Sequence, residues 1–285
     1  MSYLIINAPA KLNLNLIVLP KRQDGFHNIE SIFQKISLYD ELKIELADKS
    51  GCVLSVDGMS LPESNTVTKA YDEFAKVTGI TKGTCVSLKK RIPSGAGLGG
   101  GSSDAAAMLI GLDNMFQTGL SRSTLMQCAE KIGSDVPFFV QTSACALVSG
   151  RGEVLEPVAA RDDLHFVVVY PDVHSSTKEA YLLVDEWNGK NQDCNKPALK
   201  ELEGIYNKPV ADWSFVNDFT EPLTCKYPLI AEALKAIKAE GACFCDMTGS
   251  GSAVFGVFDA QKSAENAYKK LSSYWKNCYL VSGCR

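Results

Sequence analysis

Residues 92–107 read IPSGAGLGGGSSDAAA, and the fold turns on what this stretch can do. Gly95, Gly97, Gly99, Gly100 and Gly101 fall within seven positions. Glycine adopts positive φ without a steric penalty and lets the backbone come close to a ligand. Pro93 closes whatever strand precedes the stretch, and Ser102 and Ser103 lead into an alanine-rich run that favours helix. A helix N-terminus offers unpaired N–H groups and the positive end of a dipole, so loop and helix together make an anion site that suits phosphate. A P-loop would need a Lys after the glycines, and none follows. Gly95, Gly97 and Gly100 match the dinucleotide fingerprint literally, but the lead-in Lys89-Lys90-Arg91-Ile92-Pro93 is charged rather than a buried strand. The remaining readings are a triphosphate loop of another family and a flexible linker; so apolar a following helix disfavours the linker.

Upstream, residues 10–16 alternate Ala10, Leu12, Leu14 and Leu16 with Lys11, Asn13 and Asn15, which predicts a strand with two unlike faces. Periodicity alone sends Lys11, Asn13 and Asn15 to solvent; the floor of a polar site is the other use for such a face. Further strands are predicted at 42–46, 52–56 and 84–88, with a helix over 66–77. Downstream, the patterns predict helices at 102–116 and 122–132, the second ending at Gly133 as a C′ glycine, and strands at 144–148 and 166–170. Residues 185–214 are polar and rich in turn formers, which suits a mobile insertion or a surface helix–loop–helix. The rest predicts helix 229–240, strand 242–247, a TGSG turn at 248–251, strand 252–258, helix 261–274 and a strand at 278–282. Strands and helices mix without a βαβα rhythm, so the class is α+β, with a boundary near 150–162.

The chain has 285 residues, 46% hydrophobic and 22% charged, enough for one large domain or two, each with a core. A net charge of −4 argues against a broad nucleic-acid binder. Ten cysteines include no Cys-x-x-Cys pair, and no His stands beside Cys243 and Cys245 to complete a zinc site. Scattered thiols in a reducing cytoplasm are the expectation. The apolar start, MSYLIINAPAKLNLNLIVL, is interrupted by polar residues and lacks a basic leader, so no signal peptide is expected. No apolar run reaches the roughly 18 residues a membrane span needs.

Pro93-x-x-x-Gly97-Leu98-Gly99-Gly100-Gly101-Ser102-Ser103-Asp104-Ala105-Ala106 resembles the ATP-phosphate motif of the GHMP kinases, the family of galactokinase, homoserine kinase, mevalonate kinase and phosphomevalonate kinase. Ala8-Pro9-Ala10-Lys11-Leu12-Asn13 resembles the family's first motif, and Met247-Thr248-Gly249-Ser250-Gly251-Ser252-Ala253-Val254-Phe255 its third. Asp24-Gly25-Phe26-His27, Gly133-Ser134-Asp135-Val136-Pro137-Phe138-Phe139 and Gly150-x-Gly152-Glu153 point to the branch whose alcohol carries a cytidine diphosphate. The resemblance covers nearly the whole chain and is weakest over 185–214.

The resemblance implies a two-domain α+β fold. Residues 1–155 would be a ribosomal-protein-S5-like ATP-binding domain, and 156–285 a ferredoxin-like substrate-binding domain. It implies a cytoplasmic enzyme on a small molecule, with ATP and Mg2+, and leaves the metal ligands and the oligomeric state open. Asp135 would be the general base and Lys11 its partner; the plainer reading of Asp135 is a helix cap. Asn65 and Lys90 would lie near the adenine, with Pro93, Gly95, Gly97, Leu98, Gly99, Gly100, Gly101, Ser102 and Ser103 around the phosphates. Ser103 could hold either magnesium or a phosphate oxygen. Asn13, Thr248 and Gly249 would face the substrate. His27 would read the cytosine edge, with Phe26 and Tyr181 stacking on the ring. In the resembling enzymes Tyr usually fills the first aromatic slot and Phe the second, so this chain shows the two exchanged. His165 and His174 match nothing and read as structural or surface residues. The rival readings are a homoserine or mevalonate type of kinase, a non-catalytic nucleotide-binding protein on the same fold and, more distantly, a Rossmann dehydrogenase.

Overall fold

A computed structural model describes residues 3–57, 62–190 and 196–285. The chain forms two compact units. Unit 1 holds residues 1–10, 38–94 and 99–142; unit 2 holds 11–37, 95–98 and 143–285. Two long strands, β1 (Tyr3–Lys21) and β2 (His27–Ala47), pass from one unit into the other along the chain.

Unit 1 is a sheet covered by helices. The later half of β2 pairs antiparallel with β4 (Gly83–Lys89), placing Leu42 opposite Leu88 and Ile44 opposite Val86, and β4 pairs parallel with β3 (Cys52–Val56). The helices are α1 (Thr66–Thr78), α2 (Gly100–Phe116), α3 (Arg122–Ile132) and the short α4 (Val136–Val140). Asn65 caps α1: its side chain accepts from the Val67 and Thr68 N–H groups, and Thr68 returns a bond to the Asn65 backbone. The alanines of α2 let it sink into the core, with Ala105, Ala106, Leu109 and Leu112 all buried. At Gly111 a Cβ would stand 2.4 Å from Ile44 Cδ1 and 2.8 Å from Ile6 Cδ1, so a larger residue there would have to push both isoleucine tips aside. Gly133 ends α3 with extended backbone (φ 179°), not the left-handed turn of a C′ glycine.

In unit 2 the first half of β2 pairs with β5 (Cys145–Ser149), which pairs with β6 (Val154–Val158). Pro157 hides β6 from sequence reasoning, because proline cannot donate to a ladder. A second sheet is antiparallel, in the order β10 (Asn277–Ser282), β7 (His165–Tyr170), β9 (Val254–Phe258), β8 (Phe244–Met247). With α8 (Pro228–Ala239) between β7 and β8, and α9 (Gln261–Leu271) between β9 and β10, this is the split βαβ pattern of a ferredoxin-like fold. Among its described residues the unit also holds the α-helices α5 (Thr177–Lys190), α6 (Leu199–Tyr206) and α7 (Thr220–Lys226) and a 3-10 turn at Val210–Asp212. The polar stretch 185–214 therefore carries the end of α5 and all of α6; residues 191–195 within it lie outside the described residues. No helix among the described residues is long and apolar enough to cross a membrane.

Candidate functional site

Lys11, Asn13 and Asn15 are only 3%, 2% and 0% exposed, which corrects the solvent face that alternation predicts. Buried polar groups need partners, and these have them. Asn13 N–H donates to Thr248 Oγ1 (2.9 Å), and Asn13 Nδ2 donates to Ser31 Oγ (3.1 Å). Lys11 Nζ bonds Asn13 Oδ1 and stands 4.3 Å from the centre of the Phe33 ring. Asn15 Oδ1 accepts from Val216 N–H. This face of β1 is turned inward as a buried polar floor.

Three segments far apart in sequence meet on that floor within unit 2. The Lys11 N–H donates to Leu98 O (3.0 Å), and Ala253 N–H donates to Ala96 O (3.1 Å). A Cβ on Gly97 would lie 2.1 Å from Thr248 O, so the 95–98 segment rests directly on the 248–251 turn. Gly249 fits the same contact, its Cβ position 3.1 Å from Gly97 Cα. Asn217, which nothing in the sequence singled out, fixes the turn from below. Its Nδ2 donates to Met247 O (2.7 Å) and Gly249 O (3.0 Å).

His27 lies elsewhere in unit 2, at the start of β2. Its Nδ1 is 2.8 Å from Leu19 O; a carbonyl only accepts, so Nδ1 carries the hydrogen. Its Nε2 stands 3.4 Å from Asp185 Oδ1. The Tyr181 ring stacks on the His27 ring (centroids 5.2 Å, 22°) and meets Phe219 edge-on. Phe26 is 57% exposed, with the Arg151 guanidinium 5.4 Å from its ring centre. Neither Asp185 nor Arg151 carried a signal in the sequence beyond ordinary surface charge.

In unit 1 Gly99 adopts φ 71° and opens α2, so the N–H groups of its first turn face away from the helix body. Ser103 Oγ is buried and has no hydrogen-bond partner among the described residues. Lys90 is not an ordinary exposed cation. Its ammonium bridges Asp40 Oδ2 and Asp104 Oδ2, the latter at 2.8 Å. Burial pushes the Asp104 carboxyl up to about 7, against the pull of Lys90 and with the help of the Asp40 charge. Burial works against the Lys90 charge too, but its two carboxylate partners outweigh that and hold its pKa above the usual value. Asn65 spends its side-chain oxygen on the α1 cap and donates Nδ2 to Pro62 O. Asp135 takes the N-cap position of α4, yet its side chain makes no capping bond, so the plainer reading of this residue fails.

The family model described as GHMP kinases N terminal domain matches residues 65–143, and the one described as GHMP kinases C terminal matches 198–277. The chain belongs to the GHMP kinase family. A Treponema pallidum protein named 4-diphosphocytidyl-2-C-methyl-D-erythritol kinase is 39% identical over 100% of both chains. A Chlorobium phaeobacteroides protein of the same name is 37% identical over 94% of this chain and 93% of its own. Among solved structures, a 4-(cytidine 5'-diphospho)-2C-methyl-D-erythritol kinase matches with TM-score 0.82 and 30% identity, covering 99% of this chain and 100% of that one. A mevalonate kinase matches with TM-score 0.74 at 14% identity, covering 98% and 99%, a likeness of fold alone. As a GHMP kinase the chain is a phosphotransferase with ATP as co-substrate.

Proposed function

We propose that this kinase transfers the γ-phosphoryl group of ATP to the 2-hydroxyl of 4-diphosphocytidyl-2-C-methyl-D-erythritol, a step of the non-mevalonate route to isoprenoids in the cytoplasm. Full-length identity of 39% to a protein of that name carries the proposal. The buried polar floor of Lys11 and Asn13, joined to Gly97 and Thr248, supports it as the place where chemistry is organised. The functional division at residue 155, ATP first and substrate second, is part of the proposal, and the two family models fall on either side of it.

Phosphoryl transfer asks for positioning, charge neutralisation and a proton acceptor. In this reading Asp135 takes the hydroxyl proton. The hydroxyl oxygen then bonds to the γ-phosphorus while the β–γ bridging oxygen leaves with ADP. Lys11 offsets the negative charge that gathers on the transferring group. Pro93, Gly95, Gly97, Leu98, Gly99, Gly100, Gly101, Ser102 and Ser103 surround the triphosphate, with Asn65 on the adenine side and Lys90 beside Gly100 at the start of α2. Asn13, Thr248 and Gly249 face the acceptor, and Phe26, His27 and Tyr181 take the cytosine. Magnesium belongs to the reaction class. No group of three or more His, Cys, Asp or Glu among the described residues is placed to hold it. The partnerless Ser103 hydroxyl fits it, with ATP oxygens as the other ligands. Once bound, it would neutralise phosphate charge.

The test is coupled ADP release with ATP and magnesium, offering the cytidyl alcohol beside homoserine and mevalonate. Turnover with the cytidyl alcohol alone is expected. Turnover only with homoserine or mevalonate would keep the kinase and refute the cytosine site.

A further inference from the structure

Lys90, Asp40 and Asp104 form a cluster that the phosphoryl-transfer chemistry itself does not require. The cluster lies wholly within unit 1. Asp40, on β2, has a fully buried side chain. Its Oδ1 accepts the backbone N–H groups of Arg91 (2.6 Å) and Ile92 (2.9 Å), the last residues before Pro93. Its Oδ2 accepts from Lys90 Nζ, and that ammonium also donates to Asp104 Oδ2 in the opening turns of α2. The chain entering the glycine loop and the helix leaving it are therefore tied to one ammonium. The tie sits hard against the helix start. A Cβ on Gly100 would lie 3.2 Å from Lys90 Nζ and 3.0 Å from Ile92 Cγ2. The other Asp104 oxygen is buried without a partner among the described residues, so this carboxylate is held for the sake of the one bond to Lys90. Burying three ionisable groups to make two ion pairs yields little net stability compared with an apolar replacement. What the arrangement does supply is a fixed distance between the two ends of a loop made mostly of glycine, which has no side chains to hold its own shape.

We propose that Asp40, Lys90 and Asp104 are positioning residues that set the span of the glycine loop for the triphosphate, with the Lys90 ammonium acting through the two carboxylates rather than on the adenine. The proposal rests on the reading of this loop as the ATP-phosphate cradle. Preorganised donors lose their value when displaced by as little as an ångström.

Calorimetric titration of the whole protein with ATP and with inorganic tripolyphosphate, magnesium present, separates the cases. Asp104→Ala unties the helix while leaving the Asp40–Lys90 pair whole, and alanine suits the helix. Lys90→Met cuts both ties. Both variants should bind ATP and tripolyphosphate about 10–100-fold more weakly, as expected for displaced donors. In the kinase assay KM for ATP should rise while kcat at saturating ATP stays near the wild-type value. In the double variant the losses should be far from additive, because each change severs the same tie. Thermal unfolding confirms that each variant is folded at the assay temperature; if Lys90→Met is not, Asp104→Ala decides. Folded Asp104→Ala with wild-type affinity for both ligands would overturn the proposal. So would a loss confined to ATP, which would place Lys90 on the adenine. A wild-type protein that bound neither ligand would overturn the cradle reading along with it.

Discussion

Lys11 and Asp135 show how differently two candidate residues emerge from the same sequence. Alternation put Lys11 on a polar face, and only the fold shows that face turned inward, because alternation reports two unlike faces and not which one is covered. Asp135 after a helix-ending glycine reads as a cap from its position and as a base only through the family resemblance, and the absence of a capping bond from its side chain removes the first reading. A carboxylate that takes a proton in the transition state adds little to the binding of ATP, so its loss should appear in turnover alone. Asp135→Asn is expected to lower kcat by at least about 10²–10⁴-fold, the usual share of a general base, and to leave ATP affinity close to wild type. Stopped-flow product release beside ATP calorimetry checks both halves. Full turnover in the variant would sink the assignment of the base.

At the scale of elements, the three motifs were readable in sequence because each carries a backbone requirement that only certain residues meet. Gly97, with φ 79° and the Thr248 carbonyl against its α-carbon, is one such requirement. The long β1 and β2 were read only in fragments, since their cores follow a period of two while their ends mix Asn7, Pro9 and charged residues. The helix α5 leaves no amphipathic pattern in the sequence, because its apolar residues run consecutively over 180–184 and Leu182 among them is 50% exposed, and Pro157 obscures β6. The partners that hold the site, Asn217 and Ser31, left no trace, as a hydrogen bond across 30 residues (Asn217 to Met247) imposes no local pattern. Gly97→Ala tests the element contact itself. A Cβ 2.1 Å from a carbonyl oxygen at positive φ cannot be relieved by turning a side chain, so the 95–98 segment must lift from the 248–251 turn. Strain of this kind costs on the order of 1–3 kcal/mol. The expected result is a modest drop in Tm and a much larger drop in kcat/KM. Unchanged kinetics in a folded variant would show that the contact does not matter to the reaction.

For the whole molecule, two buried carboxyls set how stability follows pH. Burial lifts the Asp246 pKa from 3.8 to about 7, even though Thr220 Oγ1 and the Met247 N–H both donate to its Oδ1. Asp104 is lifted to about 7 as well, again chiefly by burial. In the unfolded chain both carboxyls return to the ordinary value near 4. Between about pH 4 and 7 the folded protein therefore keeps protons that the unfolded chain has released, and stability falls as pH rises, by up to about 1.4 kcal/mol per pH unit for each group. The pairs that hold Glu41, Glu73, Asp163 and Glu179 below their usual values act in the opposite sense. These four titrate below the ordinary carboxylate range and lie near the surface, where such pairs contribute little. Asp246→Asn keeps the oxygen that accepts from Thr220 and Met247 but has no proton to lose, so it isolates one share of the slope. Urea unfolding at half-unit steps from pH 4.5 to 8 should show wild-type stability declining and the Asp246→Asn curve distinctly flatter, the two diverging in the variant's favour toward pH 8. Parallel curves would mean that Asp246 titrates alike in both states, and that the hydrogen bonds to its Oδ1 cancel the cost of its burial.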